Sequence, residues 1–320
     1  MKRRKFLKLA GCAAIAGWPL YLRAAGQHRI VILHSGFPNR TPIDRLYNAL
    51  NERGYSAANI ELLGGEGNPD RLKTLIARIV EQKPDVTIAL TSPAARGLKQ
   101  ADLSAPVVFV FVPDPIGQGI VGSLAHPGEN FTGITYSETA IGSKRLGIIL
   151  DVVPSAQRVA IIWGSGFPEN VGMVKAIETS AQTRKLSVFS REVSEVHDLP
   201  FAFDEASAFG AAALVFLTDN LMFGHRKEVA ALALSHHLPS IHAFSPEVKD
   251  GGLLSYGADL EESYQRAAAL VDRILRGSSP ADLPVEEPTR FDLAVNLKTA
   301  NALGLTIPPG VLAIADEVIE

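Results

Sequence analysis

Apolar residues fall along this chain in two alternating rhythms. Ile30-Val31-Ile32-Leu33, Val86-Thr87-Ile88-Ala89-Leu90 and the run 107–112 are apolar at almost every position. That is the pattern of strands buried on both faces. Between such runs the spacing switches to helical. Ile43, Leu46, Tyr47 and Leu50 recur at i, i+3, i+4 and i+7, behind Thr41 as N-cap, Pro42 at the first helical position and Asp44 in the first turn. Gly54 stops that helix. Residues 59–63 predict a second strand, and Leu72, Leu75, Ile76 and Ile79 a second helical stripe. Residues 94–101 predict a short third helix.

The character changes at 130–136, a strand with no long helix before it, and a new series follows. Helices are expected over 142–153, 171–185, 198–209 and 226–236, and strands over 158–163, 186–193, 213–217 and 240–243. The chain therefore reads as two similar α/β halves, with 132–138 as a first crossing between them and 252–257 as a second. A strong helix over 260–275, ended by Gly277, and a strand over 291–296 complete the series. Strand–helix–strand succession implies parallel sheets with helices on both faces.

Composition adds compartment and charge. Arg3-Arg4-Lys5-Phe6-Leu7-Lys8 reads as a twin-arginine export motif, followed by an apolar stretch to Leu22 and by Arg23-Ala24-Ala25, where small residues suit a signal peptidase. The expectation is a signal peptide over 1–25 and a periplasmic protein. Leu9-Ala10-Gly11-Cys12 offers the alternative of a lipid anchor through Cys12. If the leader is removed no cysteine remains, which suits an oxidising compartment. Among the 320 residues, 47% are hydrophobic and 20% charged, as in a globular chain with a large core. The formal net charge of −3 falls by six, to −9, without the leader's basic residues. That excess of acid argues against nucleic acid as a partner.

Candidate chemistry lies in the loops that follow the strands, where open parallel sheets bind ligands. Ser35-Gly36 follows the first strand, Thr91-Ser92 opens a helix, and Asp114 follows the fourth strand. Hydroxyls beside backbone amides can hold a carboxylate, but Thr91 and Ser92 also suit helix caps. Asp114 also suits a structural turn between Pro113 and Pro115. In the second half, Thr218-Asp219-Asn220 follows a strand. Asp219 can accept from an ammonium and Asn220 can donate and accept, or the pair shapes a turn. Tyr136 and Tyr256, near the two crossings, stack on a planar solute or pack between halves. Trp163, alone of its kind after the leader, is expected at the cleft mouth.

Other motifs carry less. Gly117-Gln118-Gly119-Ile120-Val121-Gly122 matches a dinucleotide-binding spacing, yet it lies outside the first βα unit and reads as a glycine-rich turn. His236-His237 and His242 read as a solvated helix end with no metal, because adjacent helical histidines diverge. No nucleophile elbow is visible, so no enzyme is expected.

Ser35-Gly36, Thr91-Ser92-Pro93-Ala94, Val112-Pro113-Asp114-Pro115-Ile116-Gly117, Thr132-Gly133-Ile134, Pro288-Thr289-Arg290-Phe291-Asp292-Leu293, Leu297-Lys298-Thr299-Ala300 and the closing Ala302-Leu303-Gly304-Leu305-Thr306-Ile307-Pro308-Pro309 together resemble one family. It is the ABC-transporter substrate-binding proteins of the tryptophan/tyrosine-binding-like group, of type I periplasmic-binding fold. The resemblance implies two doubly wound, three-layer α/β lobes joined by a hinge of three crossings, with a ligand cleft between them. It divides the chain into 27–135 plus 255–285 and 136–254 plus 286–320. It implies a solute-binding role, with a small solute, an amino acid or related small carboxylate, captured between the lobes by a monomer and delivered to a membrane permease, without a cofactor. A ligand-sensing subunit of a signalling system is the alternative. The resemblance also gives the triplet Thr218-Asp219-Asn220 the amino-acid head group. Expected ligand-binding residues are Ser35, Thr91, Ser92, Asp114, Tyr136, Asp219, Asn220 and Tyr256.

Overall fold

The computed structural model describes residues 28–36, 40–136, 138–167 and 169–320. The expected leader, Cys12 included, lies outside the described residues. The first half runs β1 (Ile30–His34), α1 (Arg40–Glu52), β2 (Ile60–Gly64), α2 (Pro69–Gln82), β3 (Val86–Leu90), α3 (Ser92–Gln100), β4 (Val107–Pro113) and β5 (Phe131–Tyr136). These five strands form one parallel sheet in the order β2-β1-β3-β4-β5.

Helix α2 shows how the sequence dictates an element. Asn68 caps it by accepting from the amides of Asp70 and Arg71, Pro69 takes the first turn, and Ile76 and Ile79 face the sheet. Lys83, in a left-handed conformation, ends it.

The chain continues through α4 (Glu138–Val152), β6 (Arg158–Gly164), α5 (Asn170–Thr183), β7 (Ser187–Val193), α6 (Leu199–Phe209), β8 (Ala213–Phe216), α7 (Asn220–Gly224), α8 (Arg226–Ser235), β9 (Ser240–His242), α9 (Ser245–Lys249) and β10 (Leu254–Ala258). It ends with α10 (Leu260–Leu275), β11 (Phe291–Asn296), α11 (Leu297–Ala302), α12 (Pro309–Ala313) and β12 (Glu317–Ile319). The second sheet has the order β12-β11-β10-β9-β8-β6-β7 and is parallel except where β11 runs against β10. Each sheet is covered by apolar clusters on both faces, which makes two three-layer lobes.

The lobes exchange chain at three places. After β5 the chain enters the second lobe. After β10 it returns as α10, capped by Asp259, which buries Leu260, Tyr264, Ala267, Val271 and Ile274 in the first lobe's core. Around Glu286, whose backbone pairs with Gly133 and Thr135 beside β5, it leaves again for β11. A division at 254/255 falls inside β10, because residues 255–258 hydrogen-bond within the second sheet. Gly133 permits the close approach of β5 to β4: a Cβ there would sit 2.1 Å from the Phe109 carbonyl oxygen.

The ladder between β4 and β5 carries one irregularity. Val110 pairs with Ile134 and Val112 with Thr135, so Phe111 is an extra residue, at φ 59°. A bulge in a parallel pair is uncommon, and positive φ in a bulky residue is strained. Its consequence is seen in the cleft.

Candidate functional site: a cleft lined by aromatic rings

Loops at the carboxyl ends of strands from both sheets meet across a cleft with about 470 Å³ of empty space, the part open to solvent included. From the first lobe come His34 after β1, Thr91 before α3, the bulged Phe111, and Tyr136 ending β5; α10 adds Leu260 and Tyr264. The second lobe supplies Phe167 after β6, Thr218, Asp219 and Asn220 after β8, Phe223 in α7, and Phe244 after β9. Phe111 is the hub of the rings. Its centroid lies 6.5 Å from Tyr136, 5.6 Å from Phe244 and 5.5 Å from Tyr264, in edge or tilted geometries.

The polar groups are tightly committed. Asn220 donates through Nδ2 to the Ser35 hydroxyl at 2.5 Å, and Ser35 shares a 2.6 Å hydrogen bond with Thr91. The first of these joins the two lobes. Thr91 makes no capping bond to α3 and sits at φ 82°, so its hydroxyl serves this cross-cleft chain and not the helix. Asp219 is buried and accepts from the amides of Met222 at 2.8 Å and Gly164 at 3.0 Å. Burial raises its pKa to about 6, against the opposing effect of those amides. His34 is driven down to about 4 by burial, and its Nδ1 accepts the Gly36 amide at 2.9 Å, which places the proton of the neutral ring on Nε2.

A second cross-lobe link lies beside the cleft. Arg96 of α3 donates through Nη1 to Glu169 of the second lobe at 2.8 Å and to Gln118 of its own lobe at 2.9 Å. Gln118 bonds Ser92 and the Pro113 carbonyl in turn. The glycine-rich 117–122 turn thus positions Gln118 on α3. A wider groove, open to solvent and lined by Asp114, Glu169, Met173 and Glu287, runs alongside. The aromatic cleft is the more enclosed of the two and takes donors and acceptors from both lobes.

Of the residues expected from sequence, the structure brings together Ser35, Thr91, Tyr136, Asp219 and Asn220. It places three elsewhere. Ser92 is buried under Gln118. Asp114 is exposed, with Oδ1 accepting the Gly117 amide at 2.9 Å, and shapes its turn. Tyr256 stacks on Phe291, centroids 6.0 Å apart, in the packing between lobes. Trp163 does not reach the cleft mouth. It is buried in the second lobe's core, with Nε1 donating to Ser190 at 3.1 Å. His242 is not solvated either: it is fully buried, stacked on Phe216 at 4.7 Å and hydrogen-bonded to Ser240 at 3.0 Å. Among the described residues no group of three His, Cys, Asp or Glu could hold a metal ion. No helix among them is long and apolar enough to cross a membrane.

Sequence reasoning missed His34, Phe111, Phe167, Phe223, Phe244 and Tyr264. Phe167 and Phe244 follow strand ends within three residues, which was a usable signal, whereas Phe223 lies in the short helix α7. Phe111 gave none, because it sits in an unbroken apolar run.

Residues 38–319 match the family model of the ABC transporter substrate binding protein. The chain belongs to that family. Substrate-binding proteins of this kind capture small-molecule solutes, work with an ABC permease outside the cytoplasm, and are not enzymes. The tyrosine-binding protein of Clostridioides difficile is 24% identical over 80% of this chain and 74% of its own length. Among solved structures, the ABC domain from Streptococcus pneumonia in complex with L-Trp superposes with a TM-score of 0.81 at 24% identity, covering 91% of this chain and all of that one. A conserved domain protein from Vibrio cholerae gives 0.83 at 24% identity, over 91% of this chain and 99% of its own. The substrate-binding protein described here shares their two-lobed fold.

Proposed function

We propose that this substrate-binding protein captures an aromatic amino acid, or a closely related small carboxylate, in the cleft and delivers it to an ABC permease. The carrying observation is the convergence of six aromatic side chains from both lobes on one enclosed space edged by Thr91, Asp219 and Asn220. Rings supply apolar area and favour planar partners. The amide and hydroxyls supply the donors and acceptors a head group needs. That relatives bind tyrosine and L-Trp supports the same class. In this reading the mature chain is a periplasmic monomer, exported by the twin-arginine leader, that has no use for nucleic acid. Its two lobes move about the three crossings and close on the solute.

The test is a thermal-shift panel on the chain from Gly26 onward, with amino acids, small carboxylates, nucleobases and sugars. Ligand at a hundredfold its dissociation constant stabilises by about 2.7 kcal/mol. Stabilisation by L-tryptophan or L-tyrosine, with sugars and nucleobases silent, supports the reading. Silence from every amino acid overturns it.

A further inference from the structure

His34 and Tyr264 bring polar atoms to the otherwise apolar first-lobe wall of the aromatic cleft. Strand alternation puts them on the same side of it. Ile30 and Ile32 of β1 pack in one apolar cluster with Leu260 and Tyr264 of α10, whereas Val31 and Leu33 pack on the opposite face of the sheet. His34, next in the even series, continues on the α10 side. Ser35 turns the other way and bonds Thr91. The cleft thus has two separate polar stations in the first lobe, one at Ser35 and Thr91 and one at His34 and Tyr264.

The second station has unspent hydrogen-bonding capacity. Nδ1 of His34 accepts the Gly36 amide at 2.9 Å, so the neutral ring carries its proton on Nε2. Nε2 has no hydrogen-bond partner among the described residues. Tyr264 is 4% exposed, and its ring meets Phe111 edge-on at 5.5 Å. Its hydroxyl also has no hydrogen-bond partner among the described residues. Burial raises the pKa of that phenol, so it keeps its proton. Buried polar groups are nearly always hydrogen-bonded, and an exception in a ligand cleft calls for a ligand group. The two free groups differ in kind. Nε2–H only donates, while the Tyr264 hydroxyl donates or accepts. A single hydroxyl satisfies both, its oxygen accepting from Nε2 and its proton going to Tyr264 Oη. An indole N–H, which only donates, leaves Nε2 unpaired, and a bare phenyl ring leaves both unpaired.

We propose that His34 and Tyr264 read a hydroxyl on the solute's ring, so that the cleft selects a phenolic amino acid over its unsubstituted phenyl analogue. The inference rests on the reading of the cleft as a site for an aromatic amino acid, and it concerns the ring end of the solute alone. A site built to bond a hydroxyl discriminates strongly against the analogue that lacks it, because its own polar groups are then stranded.

The test compares L-tyrosine with L-phenylalanine by calorimetry on the chain from Gly26 onward. The wild type should bind L-tyrosine at least about tenfold more tightly, the cost of leaving buried groups unpaired. Tyr264→Phe removes only the hydroxyl and His34→Leu only the ring nitrogens' chemistry; each should cut the tyrosine-to-phenylalanine ratio by about fivefold or more. His34→Gln, which restores an amide donor, should recover part of the ratio. Tyr264→Phe should leave the melting of the free protein unchanged or raised, since no hydrogen bond among the described residues is lost with the hydroxyl. A purely structural role would lower both affinities together and keep their ratio. A wild-type preference below tenfold, or variants that bind with the wild-type ratio, overturns the proposal and leaves the cleft reading standing. If neither these two amino acids nor L-tryptophan binds the wild type, the cleft reading itself fails and carries the proposal with it. Should the His34 variants not fold, Tyr264→Phe decides the matter alone.

Discussion

Truncating Arg96 to alanine severs the ion pair that joins α3 of the first lobe to Glu169 of the second. The bond is 2.8 Å long, with side chains 24% and 10% exposed. It exists only while the lobes face each other, so its loss is charged to the closed arrangement and not to the open one. A solvent-exposed pair contributes roughly 0–1 kcal/mol. Breaking a fully buried pair by removing one member costs about 3–5 kcal/mol. This pair stands between those limits, and screening at Arg96 argues for the lower part of the interval, about 1–2 kcal/mol. Since about 1.4 kcal/mol is tenfold in an equilibrium constant, solute affinity should fall by about five- to thirtyfold. The loss should be uniform across solutes, because Arg96 does not line the aromatic cleft. Calorimetry on wild type, Arg96→Ala, Glu169→Ala and the double variant closes the cycle, and the two single losses should overlap by about 1 kcal/mol. Scattering on the free protein should show a larger radius of gyration for Arg96→Ala. Affinity within twofold of wild type, or strictly additive single losses, would refute the reasoning.

Three further outcomes follow from geometry already described. A Cβ added at Gly36 would lie 2.8 Å from Cβ and Cγ of Asn220, so Gly36→Ala should weaken binding by about tenfold with little change in free-protein melting, and Asn220→Ala in the same chain should restore part of it. Asp219 and His34 oppose each other on acidification. The folded pKa of Asp219 is raised from 3.8 to about 6, so the native state holds the extra proton and this group adds stability as pH falls from about 6 towards 4. His34 is lowered from 6.5 to about 4, so its contribution is present above pH 6.5 and is lost as pH falls through that window. Asp219→Asn should therefore steepen the fall in melting temperature between pH 6 and 4, and an unchanged slope would show that Asp219 does not titrate there. Trp163, buried and bonded to Ser190 away from the cleft, should emit at short wavelength and change little when L-tyrosine is added. A large red shift on binding would move it back towards the solute.

Much of the architecture was legible because burial on both faces leaves a plain trace. β1, β3 and α10 stand out as unbroken apolar runs or a continuous helical stripe, and their limits in the structure match the pattern closely. The short α7, α9, α11 and α12 were not foreseen, since helices of five or six residues hold too few turns to show a period. The polar half of the cleft was partly legible: Ser35, Thr91, Asp219 and Asn220 follow strand ends, and that rule needs no knowledge of packing. Asp114 obeys the same rule and still turns to its own loop, because a proline on each side and the nearby Gly117 amide satisfy it locally. Of the aromatic half Tyr136 was expected, and Phe111 was hidden. A phenylalanine among valines reads as core, and sequence does not say which ring is turned out of the layer. Tyr256 misled for the opposite reason, since its place beside a crossing suggested the cleft while Phe291 on the neighbouring antiparallel strand offered it a stacking partner.

The extra residue in β4 separates two demands that usually compete within one strand. Up to Val110 the ladder with β5 follows regular pairing, and from Val112 it resumes one step out of phase. Deleting Phe111 would bring Val112 opposite Thr135 in unbroken register and remove a left-handed φ of 59°. Such a shortened chain should keep its sheet, yet it would lack the ring around which Tyr136, Phe244 and Tyr264 gather. The presence of Phe111 makes the strand one residue longer than regular pairing needs, and the surplus residue brings a ring to the wall of the cleft.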